Sequence, residues 1–385
     1  MNRLISTGSS IPMRTRARFP RNFIELLWNA NPDTIRLSIL AVVAGWVPLF
    51  GLSVVQGWFV LKSFLSDSAA QSRLLLVIPL LILTEPQLAA RLSGIARHFL
   101  AADLLKKEKM PQFEQAIASL ERRGDSKIAR IVIALLIYAF VGLAIRYAKP
   151  GLFPPWCYEK NDLGQISAAG FWYIFVSLPM VIYLLAHWIW RQLVWTGFLQ
   201  TISRMGLRLI PSHPDLMGGL SFVETSIRGY LPFGFAVGTI AAGAVANQMF
   251  RFQQPLAAFK NVPLVVIAIV VLVCSGPLFS LYSFLLRTRR QGIFEYGCLA
   301  NRVGHQFEAK WLNREVDDAA LDAPDFSATI DLYSVVGNVR QMRVVPISLQ
   351  SLVRLIAVTL APALPVALVA VPFDVLIQSA IKYLA

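Results

Sequence analysis

Between Lys260 and Arg287 the chain reads NVPLVVIAIVVLVCSGPLFSLYSFLL, residues 261–286, 26 consecutive side chains without a charge. A helix needs about 20 such residues to cross a hydrocarbon core about 30 Å thick, so this stretch reads as a membrane span. Three further uncharged runs are long enough: 25 residues from Arg36 to Lys62, 28 from Asp162 to Arg191 and 22 from Arg228 to Arg251. The 19 residues between Arg354 and Asp374 suffice too, with Pro362, Pro365 and Pro372 predicting kinks. Leu74 to Arg91 is apolar apart from Glu85, and the 15 residues between Arg130 and Arg146 cross if the flanking arginines snorkel. The expected fold is therefore all-α, a polytopic membrane helix bundle. Its seven spans lie near residues 37–61, 74–91, 128–148, 168–190, 229–250, 262–286 and 355–373.

Composition agrees. Of 385 residues, 56% are hydrophobic and 15% charged, with a mean hydropathy of +0.58, too little polar side chain to cover a soluble globule. Three cysteines cannot staple a secreted scaffold. Seven spans put the termini on opposite sides of the membrane. The N-terminal tail and the connections Arg91–Arg130, Arg191–Arg228 and Arg287–Arg354 carry 28 of the 36 Lys and Arg residues; the other side carries 8. The positive-inside rule then puts the N-terminus in the cytoplasm and the C-terminus outside, with the first span a signal anchor. Cys157 falls outside, where a lone thiol can pair between chains, Cys274 in a span and Cys298 in the cytoplasm.

One membrane domain, 37–385, is expected after a basic tail, 1–36. Its first 21 residues carry Arg3, Arg14, Arg16, Arg18 and Arg21 without an acid, a composition suited to anionic lipid rather than to nucleic acid beside a span. Phe23, Ile24, Leu27 and Trp28 predict an interfacial helix. Beyond span two, the helix is expected to continue through His98 and Asp103 into an amphipathic segment that ends near Arg123, with a break at Gly124. Beyond span six, Tyr296, Ala300, Val303, Phe307 and Trp311 recur at helical spacing, which extends that helix into the cytoplasm and predicts that the two extensions pack together. A turn at Ala323-Pro324 precedes a helix near Ile330–Met342. Trp172 and Tyr173, then Trp188, Trp190 and Trp195, read as aromatic belts bounding span four.

Chemistry-bearing residues are few. Glu85 lies within a span, 12 residues from Arg73 and just before Pro86. It is either a proton or cation site or a structural carboxyl bonded to a neighbouring helix. In Pro211-Ser212-His213-Pro214-Asp215, followed by Gly218-Gly219, His213 and Asp215 are either an acid–base or metal pair or a helix cap and a satisfied imidazole. The four histidines show no metal-ligand spacing, so neither a metal nor any cofactor is expected. Gly234, Gly238, Ala242 and Ala246 recur every four residues, a stripe suited to close helix packing, within the chain or in a homo-oligomer. Asn247 and Gln248 at the outer end of that helix, with Arg251, are expected to form a polar vestibule, which makes them permeation candidates alongside Glu85. No nucleotide-binding loop, nucleophile elbow or zinc-protease helix is present, and no catalytic residue is assigned.

The segments GFWYIFVSLP (170–179), WIWR (188–191), PSHPDLMGGL (211–220) and Met342–Pro346, with Ala361-Pro362 and Leu364-Pro365, resemble a family of bacterial multi-pass inner-membrane proteins. The resemblance runs from about span two to the end, and PxHPDxxGGL is its most specific element. It implies a bacterial inner-membrane location and assigns no reaction. On the residues alone, the leading function is an oligomeric ion channel or a solute or proton transporter with a polar site at Glu85. The alternative is a membrane-anchored sensor or scaffold whose cytoplasmic helices bind a protein partner, and a third reading makes His213 and Asp215 an interfacial acid–base pair.

Overall fold

The structure is a computed structural model that describes residues 31–147, 153–159, 162–312 and 325–370. The basic tail with its interfacial helix, the Ala323-Pro324 turn and the end of the last expected span lie outside the described residues. Six helices are long and apolar enough to cross a membrane: α1 (Pro32–Val55), α3 (Ser68–Ala101), α5 (Lys127–Arg146), α6 (Ala168–Ser203), α7 (Ser221–Phe252) and α8 (Leu256–Trp311). A seventh span is broken: α10 (Leu349–Leu360) and α11 (Ala363–Val369) meet at 52° across Ala361-Pro362. The chain is a helical membrane protein. Its remaining elements are α2 (Trp58–Leu65), α4 (Met110–Gly124), α9 (Asp325–Gln341) and a small antiparallel hairpin of β1 (Tyr158–Glu159) and β2 (Asp162–Ile166).

Helices α3, α6 and α7 form the centre and α1 and α5 the flanks, as burial shows: half of the most apolar window of α7 is buried but 17% of that of α5. Connections gather in two sets. At the end rich in Lys and Arg, here the basic end, Arg208 N–H donates to Leu104 O at 2.8 Å and Arg343 N–H to Leu216 O at 2.7 Å. At the opposite end Trp156 Nε1 donates to buried Asp67, 2.8 Å, whose other oxygen caps α3 through Ala70 N–H.

Several boundaries differ from expectation. Span one ends at Val55 rather than residue 61, because Gly57, at φ +103°, turns the chain into α2. Span four continues at its basic end to Ser203, and the helix of span two runs on past residue 91 as expected but ends at Ala101, with residues 102–109 between it and α4. Trp188 and Trp195 are 1% and 0% exposed, packed against Tyr230 and Phe198 respectively, so they fill the core instead of marking a membrane face. Cys157 is fully buried, and burial pushes its thiol up, which removes it as a link between chains. The helical extensions do not pack on each other. Phe113 of α4 meets Phe198 of α6, whereas α8 extends to Trp311 and is covered by α9, where Phe326 lies 4.9 Å from Phe307 and 4.8 Å from Trp311.

Prolines inside spans leave the carbonyl four residues back without its helical donor. Three such carbonyls have a side-chain donor from a neighbouring helix. Pro48 frees Ala44 O, which accepts Trp172 Nε1 at 3.0 Å; Pro179 frees Phe175 O, which accepts the Tyr138 hydroxyl at 3.1 Å; Pro277 frees Val273 O, which accepts Gln192 Nε2 at 2.9 Å. Hydrocarbon offers no water to do this, so the bundle supplies the donors.

Candidate functional site

Glu85 projects from α3 toward α6, where His187 and Arg191, four residues apart, occupy one helix face. Its Oε1 accepts from Arg191 Nη2 at 2.7 Å and Nε at 3.1 Å and lies 3.0 Å from His187 Nε2. The same Arg191 Nη2 reaches Asp125 Oδ1, at the α4–α5 turn, at 3.1 Å. Burial increases inward: Asp125 is 69% exposed, Glu85 30% and His187 7%. The cluster therefore begins at the surface of the basic end and stops at a buried imidazole whose Nδ1 lacks a hydrogen-bond partner. A carboxylate so held is a pin between α3 and α6; to coordinate a passing cation it must first give up a guanidinium.

His213 and Asp215 close a loop upon itself. Asp215 Oδ1 accepts from Met217 N–H at 2.8 Å and Gly219 N–H at 3.1 Å, and Oδ2 from Ser221 N–H at 3.1 Å, at the start of α7. His213 Nδ1 lies 2.8 Å from Oδ1 and 3.3 Å from the Asp215 backbone N, so the imidazole is held against Asp215 by its side chain and backbone together. Burial pushes the Asp215 carboxyl up, but the three amides and His213 outweigh it and hold it below its usual range. Gly218 and Gly219 take φ +68° and +93°, the left-handed geometry that aims those amides inward. The loop fits tightly against α8: Pro211 Cβ sits 2.6 Å from where a Cβ on Gly292 would stand. Among the described residues no three His, Cys, Asp or Glu side chains gather where a metal would fit.

The small-residue stripe finds its partner within the chain. A Cβ on Gly238 would lie 1.9 Å from the Thr359 carbonyl of α10, and one on Gly234 2.8 Å from Thr359 Oγ1. Ala242 and Ala246, farther along, are buried, while the opposite face approaches α3 through Gly243, whose Cβ would meet Ser72 Oγ at 2.1 Å. Gln248 is exposed, Asn247 Oδ1 is buried without a hydrogen-bond partner, and Arg251 donates to Ser63 Oγ, which ties α7 to α2.

Where the last span breaks, the helices part around a cavity of about 500 Å³. Ala241 and Val245 of α7, Val266 of α8, and Leu360, Ala363 and Ala367 of the broken span form its walls. Among the described residues only two lining side chains are polar: Thr359, whose hydroxyl bonds Leu355 O at 2.8 Å, and Lys260. No family model, curated protein or solved structure matches the chain.

The sequence reading singled out Glu85 but weighed only Arg73 as its neighbour, and Arg73 bonds the Tyr173 hydroxyl at 2.9 Å instead. His187 and Arg191 were legible as an i, i+4 pair within a span. Glu224, which accepts from Ser348 and Ser351 and so ties α7 to the start of α10, gave no sequence signal, because its partners are 124 and 127 residues away.

Proposed function

We propose that the protein is a transport protein whose solute is lipophilic or amphiphilic and enters from within the bilayer. The observation that carries this reading is the cavity at the break of the last span: apolar, in the volume range of small-ligand pockets (about 300–1,000 Å³), and walled by a helix whose bend exposes it. Discontinuous helices are where transporters place their solutes. A permeation path at Glu85 is the weaker form of the transport reading, since Arg191 already neutralises that carboxylate. In this reading one chain is the transport unit, because the Gly234–Gly238 stripe is taken by α10. The excess of Lys and Arg at one end supports a cytoplasmic basic end and N-terminus, and the resemblance on PSHPDLMGGL supports a bacterial inner membrane.

The test reconstitutes the full chain in liposomes with NBD-labelled amphiphiles of positive, zero and negative head charge, and follows dithionite quenching of the inner-leaflet pool. Faster quenching than in protein-free vesicles for at least one probe, abolished by Ala241→Phe, is the expected result. Rates equal to protein-free vesicles for all three probes would sink the reading.

One observation favours a scaffold instead. The Tyr282–Trp311 part of α8 and α9 form a hairpin that leaves Phe294 73% and Ile330 66% exposed at the basic end. Stoichiometric co-purification of a soluble protein, lost on deleting residues 294–342, would support that reading.

A further inference from the structure

We propose that the cavity at the broken span binds an anionic amphiphile, one alkyl tail against α7, α8 and α11 and its carboxylate or phosphate head on Lys260. This rests on the transport reading for its purpose, though not for its chemistry. The lining residues of α7 run from Gly238 to Val245, seven steps or about 10 Å of helix, so the cavity is a slot that takes part of the length of an alkyl tail. Among the described residues its one charged lining residue is Lys260, and the other polar one, Thr359, already spends its hydroxyl on Leu355 O. A ligand that fills the slot therefore meets apolar residues everywhere in this lining except at Lys260 and the bonded Thr359.

Position along the bundle sharpens the assignment. Lys260 directly precedes the long apolar run of α8, where a lysine lays its methylenes on apolar surface and holds its charge at headgroup level. A cationic amphiphile would meet like charge there. A neutral one would gain nothing from Lys260, and a polar solute would strand its hydrogen-bonding groups against Ala241, Val266 and Ala363. An anionic head gains a charge-assisted contact in the one place that offers it.

Free fatty acid and bilayer phospholipid share this chemistry, so the experiment carries an arm for each. Full-length protein in a neutral detergent is studied by native mass spectrometry with oleate, dioleoyl phosphatidylglycerol and oleyl alcohol as probes. One oleate or one phosphatidylglycerol per chain is expected; oleate alone names a free acid as the ligand, phosphatidylglycerol alone a membrane lipid. Lys260→Gln weakens the anionic probe about tenfold, leaves oleyl alcohol unchanged, and is rescued by Lys260→Arg. Ala241→Phe and Ala367→Phe fill the slot from different walls, and each removes bound probe while the melting temperature stays near wild type. The proposal is overturned if no anionic probe is retained, if Lys260→Gln leaves the anion's affinity intact, or if binding survives in both slot-filling variants. Vesicles that move labelled amphiphiles although the protein retains none of these probes would refute this assignment and leave transport standing. Retention at Lys260 without movement would do the reverse.

Discussion

Gln192 shows how a span tolerates proline. Its amide is the donor for two consecutive carbonyls of α8, Val273 O at 2.9 Å and Cys274 O at 3.1 Å, the first of them freed by Pro277. Gln192→Leu keeps the bulk and removes the donor, so it is expected to cost about 1–3 kcal/mol, seen as a lower unfolding midpoint in detergent. An unchanged midpoint would mean that water reaches these carbonyls. Glu85→Gln leaves Arg191 with Asp125 alone and is expected to cost about 1–3 kcal/mol, part of it recovered in the Glu85→Gln/Arg191→Gln double variant. Amphiphile flux should persist in folded Glu85→Gln protein; flux lost at full stability would move Glu85 from pin to path. Asp215 supplies a pH dependence. Its folded value lies below the ordinary 3.8, so the loop's carboxylate contributes stability above pH 3.8 that is lost as pH falls through the folded value. Faster amide exchange at Met217, Gly219 and Ser221 than the intrinsic pH trend allows, beginning below pH 3.8, is the expected sign. Exchange that follows the intrinsic trend throughout would deny the clasp its role.

At the scale of elements, glycines separate close contacts from open surface. Gly238→Ala drives a methyl into the Thr359 carbonyl and must push α10 off α7, an expected loss of about 1–3 kcal/mol. Gly197, in α6, has nothing within 4 Å of a built Cβ, so Gly197→Ala should be neutral or gain up to about 1 kcal/mol. Equal midpoints for the two variants would contradict the close approach of α7 and α10. The same contrast shows what was legible in the sequence. Uncharged runs set the number and approximate place of the spans, because a bilayer imposes length and apolarity on each helix separately. The repeat of Gly234, Gly238, Ala242 and Ala246 announced a close contact, but its partner depends on tertiary folding, and Gly243, on the opposite face, belongs to no repeat. Tryptophans misled for a related reason: an interfacial ring and a core ring are the same residue in a sequence, and Trp188 and Trp195 are core. The cavity was not legible at all, since it is a space between α7, α8 and the bent span, and Pro362 marks only where a bend falls.

For the whole molecule, the uneven distribution of Lys and Arg makes orientation the statement most open to a direct test, and the cysteines supply it without engineering. Cys157 is buried among Phe64, Trp156 and the neighbouring loop, Cys274 is buried in α8, and Cys298 is exposed on the α8 extension at the basic end. A membrane-impermeant maleimide should therefore react with one thiol per native chain, and Cys298→Ser should abolish the reaction. Because the seven-span reading of the sequence assigns 28 of 36 basic side chains to the side of Cys298, labelling is expected in inside-out vesicles and absent in intact spheroplasts. Labelling of spheroplasts would invert the orientation and put the α8–α9 hairpin outside, which removes the cytoplasmic scaffold reading. It would also carry Lys260 to the inner face. The slot would survive that inversion, since its apolar walls and single ammonium do not depend on the side they face, but its anionic ligand would then come from the cytoplasmic leaflet.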